Sequence, residues 1–462
     1  MKRSLAHFAG AMGGTLVGAD AGFSAVSTDS RTLAAGELFV ALVGPNFDGH
    51  AFVAAAAGRG AAGAVVDRPV PVDLPQILVH DTLHALQRAA ESWRLQFDIP
   101  VIAVAGSNGK TTAKELIATV LAGQGPCHST RGTLNNHIGV PLTLLGLEPR
   151  HATAVVEIGA NHAGEVAALL PLVRPTIGLV TNAGAEHLEG FGDLDGVARA
   201  EGELFAGLEA GTTAVINADD AYATLWTEMS RATRRLTFGF SPLADFRAVG
   251  AFRRSGPGEV LQEFELVTPV GRARVRLALA GRHNVVNALG AAAAAHAAGA
   301  RLADIAAGLE RMRAVKGRLQ PHPALNGAQL IDDSYNANPS SLSAGLDVLA
   351  GFGGERWLVL GDMAELGSHS RDAHVTAGRE ARAQGVARLF AVGSLTPEAV
   401  GAFGTGGEWF ADSAALAARV GTLLAPGVTV LIKGSRLNHL ERVVEALRAP
   451  DAGPRSRAAT GK

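Results

Sequence analysis

Residues 100–116 read PVIAVAGSNGKTTAKEL. An apolar run from Val101 to Ala105 meets Gly106, Ser107, Asn108, Gly109, Lys110, Thr111 and Thr112, and a helix-forming sequence follows. Strand, glycine loop and helix in that order predict a phosphate cradle. Glycines let backbone N–H groups face an anion without a Cβ in the way, and the helix that opens near Lys110 adds the positive end of its dipole. Lys110 reaches β- and γ-phosphates from such a loop, and the Thr111 hydroxyl is placed to ligate Mg²⁺. The full G-x-x-x-x-G-K-[ST] pattern needs glycine at position 104, where this chain has Val104, so the loop is a shortened form.

Outward from this loop the pattern is α/β. TAVVEIGA, IGLVTNAG and TTAVINAD repeat the apolar run, with helical stretches between, as a mostly parallel sheet covered on both faces requires. Residues 246–280 break that rhythm and read as antiparallel strands around GPG and PVG turns. Before the loop, ELFVALVG, GAAGAVVD and QILVHD suggest a small α/β unit, and 82–97 a helix leading into the strand at 101. Beyond Lys316-Gly317-Arg318, the runs QLIDDSY, RWLVLGDM, RLFAVGS and VTVLIKGS form a third, Rossmann-like block without a G-x-G-x-x-G after its first strand. The expectation is three α/β domains: 1–82, a central P-loop-type domain 83–315, and 316–462 with a disordered tail after 450.

Composition agrees. A chain of 462 residues suggests about three domains of roughly 150 residues. Lys and Arg total 41 against 43 Asp and Glu, so no net field draws nucleic acid or an anionic membrane. No uncharged apolar segment is long enough to span a bilayer. His7 and four glycines interrupt the opening MKRSLAHFAGAMGGTLVGADA, which does not read as a signal peptide. A single cysteine, Cys127, fits a reducing cytoplasm.

Three polar residues fall near strand ends that can neighbour the phosphate loop. Glu157 interrupts the apolar strand AVVEIGA, where a carboxylate needs a cation, a lysine or backbone donors. His187 follows the next apolar run, in TNAGAEHLEGFG. Glu201 lies on the inward stripe Leu194, Val197, Leu204, Leu208 of a helix over about 193–208, whereas Glu203 projects elsewhere and reads as solvated. Thr111, Glu157, His187 and Glu201 together can hold one or two Mg²⁺ ions around ATP phosphates. Asn284 and Asn287 share a helical face and suit either helix capping or an adenine edge. Arg318 lies where a guanidinium can swing onto a γ-phosphate. Lys433-Gly434-Ser435-Arg436 looks like a small anion loop, and DDSYNANPS before the third block's first helix suits an N-cap or a ligand contact.

In order, STDSRTLAAGELFVALVGPNFDGHAF, GSNGKTTAKE, TLNNHIGVPLTLL, VEIGANHAGE, AEHLEGFG, GRHNVVNAL, VKGRL, DDSYNANPSS, VLGDMAELG and LIKGSR resemble the Mur ligases of bacterial peptidoglycan synthesis. NANP and GDMAELG are most similar to the branch that adds D-alanyl-D-alanine to UDP-N-acetylmuramoyl-tripeptide. The resemblance implies ATP-driven amide formation through an acyl phosphate, in a cytoplasmic monomer whose partners are small molecules. Lys110, Glu157, His187 and Arg318 would be catalytic. Gly106 to Thr112, Asn284, Asn287, Arg318 and Asp333 would hold ATP. Ser30, Arg31 and Asn46 would lie near the uridine diphosphate, Asn135 and Asn136 along the muramoyl-peptide path, and Asn336 and Asn338 at D-alanyl-D-alanine. Related ligases place a carbamylated lysine where this chain has Glu201, so the resemblance implies an enzyme independent of CO₂ at that site. A sibling ligase, folylpolyglutamate synthetase, or a P-loop ATPase or nucleotide-gated binding protein remain alternative readings of the sequence.

Overall fold

The computed structural model describes residues 3–256 and 259–450. Among the described residues three large sheets follow one another along the chain, with strands inside 15–78, 101–277 and 320–433, and a two-stranded ribbon pairs Val43–Gly44 with Phe47–Asp48. The turn expected at GPG reaches 257–258, and the tail after 450 covers 451–462; both lie outside the described residues.

The central sheet has nine strands, and Val101–Ala105 lies between Ile177–Val180 and Thr153–Glu157, parallel to both. Its alternate side chains go to opposite cores. Val101, Ala103 and Ala105 join one apolar cluster, and Ile102 and Val104 join another. A strand covered on both faces has no solvent side, and this is why the run is continuously apolar. Phe246–Gly256, Glu259–Thr268 and Gly271–Leu277 extend the sheet as the expected antiparallel ribbon. Cys127–Ser129 and Arg234–Gly239 are further parallel strands that the sequence did not announce.

The first sheet runs Thr15–Val17, Gln76–Leu78, Gly63–Val66, Leu38–Val40, Val26–Ser27, with only its first pair antiparallel. Arg3 Nη2 fastens it to the central body, donating to the Leu145 carbonyl at 2.9 Å, and within that body Arg94 donates to the carbonyls of Phe97, Val173 and Arg174 at 2.7–3.1 Å. Trp93 Nε1 and Arg3 Nη2 both donate to the Leu147 carbonyl, at 3.0 Å. One apolar cluster runs from Leu5 through Ala232 without a break between the two sheets. The third sheet has clusters of its own, which take only Ala280 from the central region. Its expected strands are joined by Gln320–Pro323 and Gly407–Phe410 at the two edges.

Two side chains in Leu194–Ala206 depart from the helical-stripe expectation. Leu194 is exposed, because the first turn overhangs the core. Glu203 is not simply solvated: it accepts the N–H groups of Gly164 at 2.7 Å and Ala167 at 3.0 Å, capping the helix Glu165–Val173.

Candidate active site

The loop between Val101–Ala105 and the helix Lys110–Leu121 turns on two left-handed glycines, Gly106 at φ 115° and Gly109 at φ 87°. A Cβ on Gly106 would stand 2.2 Å from Thr181 Oγ1, and one on Gly109 2.5 Å from Asn287 Oδ1. The neighbouring strand end holds the loop in shape. Thr181 Oγ1 and Asn182 Nδ2 donate to the Asn108 carbonyl at 2.7 and 2.8 Å, and Asn182 Oδ1 accepts the Asn108 N–H at 3.1 Å.

Lys110 curls over this loop. Its ammonium donates to the Gly106 carbonyl, to the Ser107 carbonyl at 3.0 Å and to Glu186 Oε1 at 3.1 Å. Burial pulls the Lys110 pKa down, but Glu186, Glu201 and Glu157 outweigh it and leave the ammonium above its ordinary value. Glu186 was not singled out in the sequence; its signal was its place beside His187 at a strand end.

Glu157 ends Thr153–Glu157 and is 1% exposed. Its Oε1 accepts Thr111 Oγ1 at 3.2 Å and Asn135 Nδ2 at 2.9 Å. Its Oε2 has no hydrogen-bond partner among the described residues and lies 3.7 Å from Lys114 Nζ. Glu201 is also buried, as the helical stripe requires, and its Oε2 accepts the Gly106 N–H at 2.6 Å. Burial pushes its carboxyl up to about 7, against the pull of Lys110 and with the help of Glu186.

Thr111, Glu157 and His187 line one cleft of about 610 Å³, whereas Glu201 stands behind the phosphate loop on the Gly106 amide. His187 is drawn toward the third lobe, with Nδ1 2.6 Å from Glu365 Oε2. Among the described residues no three His, Cys, Asp or Glu side chains converge closely enough to hold a metal by themselves. The Thr111 hydroxyl and Glu157 Oε1, 3.2 Å apart, are nevertheless hard oxygen donors side by side, which suits Mg²⁺.

Asn284 and Asn287 also line the cleft and are buried. Asn284 Nδ2 donates to the Ala280 carbonyl at 2.6 Å, and Asn287 Nδ2 to Asn284 Oδ1 at 3.2 Å. Gly281 occupies the N-cap of this helix without a side-chain bond, so neither amide is spent on capping. Arg318 reaches the phosphate loop: Nη2 donates to Thr111 Oγ1 at 3.0 Å, and its guanidinium lies 4.5 Å from the centre of the Tyr335 ring. Lys433 is not an open anion site, because its ammonium is paired with Asp333 at 2.6 Å. Burial raises the Asp333 carboxyl against the pull of that ammonium, and Asp333 Oδ1 also accepts the Leu319 N–H at 3.1 Å.

The third lobe meets the loop through Asn338. It is the N-cap of Pro339–Ala350, in a capping box with Ser341, and its Nδ2 also donates to Asn108 Oδ1 at 2.9 Å and Glu186 Oε2 at 3.4 Å. The N-cap reading of the DDSYNANPS cluster therefore holds at Asn338, whose amide also joins the third lobe to the phosphate loop. Asn336, Asn135 and Asn136 line the same cleft, and Asn136 Oδ1 also accepts the Ile138 and Gly139 N–H groups. Ser30, Arg31 and Asn46 lie outside it, on loops of the first lobe, where Arg31 grips Asp29 through two bonds of 2.9 and 2.8 Å.

The arrangement has close counterparts. Residues 22–94 match the Mur ligase family catalytic domain, 104–295 the Mur ligase middle domain and 317–436 the Mur ligase glutamate ligase domain. The UDP-N-acetylmuramoyl-tripeptide--D-alanyl-D-alanine ligase of Escherichia coli is 45% identical, over 96% of this chain and 98% of its own. A crystal structure of MurF from Acinetobacter baumannii superposes with a TM-score of 0.88 at 34% identity, over 96% of this chain and 98% of that one. The MurF ligase of Thermotoga maritima, solved in complex with ADP, superposes at 0.78 and 26% identity, over 91% and 96%. With all three segments in order and a relative matched from end to end, the chain is an ATP-dependent ligase and belongs to the Mur ligase family.

Proposed function

We propose that this chain joins D-alanyl-D-alanine to UDP-N-acetylmuramoyl-tripeptide, releasing ADP and phosphate. The observation that carries the reading is the meeting of lobes at the phosphate loop. Lys110 and Thr111 from the loop, Glu157 from the next strand and Arg318 from the hinge share one cleft, with Asn338 of the third lobe hydrogen-bonded to Asn108. The division of labour follows the sequence, with 1–82 holding the UDP moiety through Ser30, Arg31 and Asn46, 83–315 holding ATP, and 316–462 the dipeptide through Asn336 and Asn338. In the ATP site, Asn284 and Asn287 meet adenine and Asp333 the ribose.

The terminal carboxylate of the tripeptide attacks the γ-phosphorus, and ADP leaves. The dipeptide amine then attacks the acyl phosphate carbonyl, and phosphate leaves. Carboxylate and triphosphate are both anions, so the first step needs cationic groups aimed at the transferring phosphoryl; Lys110 and Arg318 supply them. Mg²⁺, held by Thr111 and Glu157 with His187 on the same cleft, would neutralise charge on the phosphate oxygens, while Glu201, expected from sequence as a further ligand, braces the loop from behind through the Gly106 amide. Asn135 and Asn136 orient the muramoyl-peptide beside Glu157. His187, with Nδ1 engaged by Glu365, leaves Nε2 for the metal or for the proton that the amine must lose. Contact between third lobe and loop keeps water from the acyl phosphate.

We read the chain as a monomer acting on small molecules, and no helix among the described residues is long and apolar enough to cross a membrane. The cytoplasm, which supplies ATP, is where we place it. The test is phosphate release with ATP, UDP-muramoyl-tripeptide and D-alanyl-D-alanine each omitted in turn. All three are expected to be required. Turnover with glutamate in place of the dipeptide would reassign the chain to a sibling, and hydrolysis without an acceptor would favour an ATPase.

A further inference from the structure

Lys114 is completely buried, on the phosphate-loop helix four residues after Lys110 and three after Thr111. Lysine is almost never fully buried unless its charge is partnered. Its ammonium donates to the carbonyls of Thr130 at 2.7 Å and Gly132 at 3.3 Å, lies 2.9 Å from Glu115 Oε1, and stands 3.7 Å from Glu157 Oε2. That Glu157 oxygen has no hydrogen-bond partner among the described residues, so the lysine is the nearest cation it faces.

The segment 130–136 is stitched to the same place from above. Thr130 Oγ1 accepts the Glu157 N–H at 3.0 Å, Asn135 Nδ2 donates to Glu157 Oε1 at 2.9 Å, and the Asn135 carbonyl accepts the Gly159 N–H at 2.9 Å. Thr133 Oγ1 accepts the Tyr335 hydroxyl of the third lobe at 2.9 Å. A methionine would fill the volume beneath this loop equally well. It would not hold two carbonyls and face a carboxylate at once.

We propose that Lys114 is a positioning residue whose ammonium fixes the 130–136 loop and the Glu157 carboxylate as one unit, setting the acyl substrate against the phosphate loop. This rests on the reading of Asn135 and Asn136 as contacts to the muramoyl-peptide. Lys114 does not line the cleft itself. Its influence runs through the backbone of Thr130 and Gly132, which fix where Asn135 and Asn136 stand.

The test uses the full chain and the variant Lys114→Met, with two readouts. Hydrogen exchange of the ligand-free protein is expected to rise about tenfold or more at 130–136 and to stay unchanged at Val101–Ala105. In steady-state kinetics KM for UDP-muramoyl-tripeptide is expected to rise about tenfold, with KM for ATP within about twofold of wild type, and Lys114→Arg is expected to recover part of the loss. Equal acceleration of exchange in both segments, or a rise in the two KM values together, would reduce Lys114 to a general stabiliser and overturn the proposal. If Lys114→Met does not fold, Lys114→Gln, which keeps one donor for the carbonyls, is measured against the same criteria. If the wild-type chain does not use the UDP-muramoyl substrate, the functional reading fails, while the exchange experiment still decides whether Lys114 holds the loop.

Discussion

Nδ1 of His187 and Oε2 of Glu365 stand 2.6 Å apart across the boundary between central and third lobes, and both residues hold left-handed backbone, at φ 49° and φ 62°. A left-handed conformation costs a non-glycine residue about 1–2 kcal/mol, so two loops are held in unfavourable shapes to make one contact. The contact fixes the imidazole from the third-lobe side.

Glu365→Gln keeps the shape and removes the charge. Glu365 is 57% exposed, so the pair contributes little to stability, about 0–1 kcal/mol. Loss of an orienting carboxylate behind a working histidine costs about tenfold or more in activity. The expected result is an unchanged melting temperature with kcat lowered about tenfold, read by thermal melting and phosphate release. An unchanged kcat would leave the pair a packing contact.

Asn338→Asp separates capping from lobe-to-lobe contact. Aspartate caps a helix as well as asparagine does, so the melting temperature should hold. The variant loses the amide donor to Asn108 and sets a carboxylate against Glu186, whose Oε2 is 3.4 Å from the present amide nitrogen. Catalytic efficiency should fall about 10- to 100-fold. Asn338→Ala should lose the cap as well, with about 0.5–2 kcal/mol of stability. Equal activity in Asn338→Asp and wild type would dismiss the contact.

His283 gives the protein an acid-sensitive limb. Burial and then the nearby Lys433 charge push its pKa from 6.5 down to about 4, with Asp347 opposing. The unfolded chain therefore binds a proton between pH 6.5 and about 4 that the folded chain refuses. Its contribution is full above pH 6.5 and is lost as pH falls through that window. Denaturant unfolding of His283→Gln should show a flatter dependence of stability on pH between those limits, and an identical slope would refute the assignment.

The resemblance to the Mur ligases implies a CO₂-modified lysine where this chain has Glu201. Activity here should be indifferent to removal of bicarbonate. Glu201→Lys should lose activity and regain part of it on adding bicarbonate. A bicarbonate requirement in the wild type would contradict the role given to this carboxylate.

The fold was legible wherever one period ruled. Val101–Ala105 reads as a covered strand because both of its faces are apolar, and Glu201 could be placed inward because the helical stripe passes through it. Cys127–Ser129 escaped because three half-buried residues at a sheet edge carry no pattern. Site residues were legible when their neighbours in sequence were also their neighbours in space, as around Lys110. Lys114 escaped because lysine on a helix reads as surface, and what buries it is the carbonyl pair sixteen and eighteen residues away. Glu203 was misread for the same reason: its partners, the Gly164 and Ala167 amides, belong to another helix.

Arg3 ties the first lobe to the Leu145 and Leu147 carbonyls of the central body, and one continuous core runs beneath both. The first two lobes therefore share one core, whereas the lobe beyond Arg318 packs around clusters of its own and meets them through polar contacts. If the first lobe holds the nucleotide end as proposed, a peptide stem one residue too short or too long would present its carboxylate at the wrong distance from the phosphate loop, and this shared core would set the selectivity for stem length.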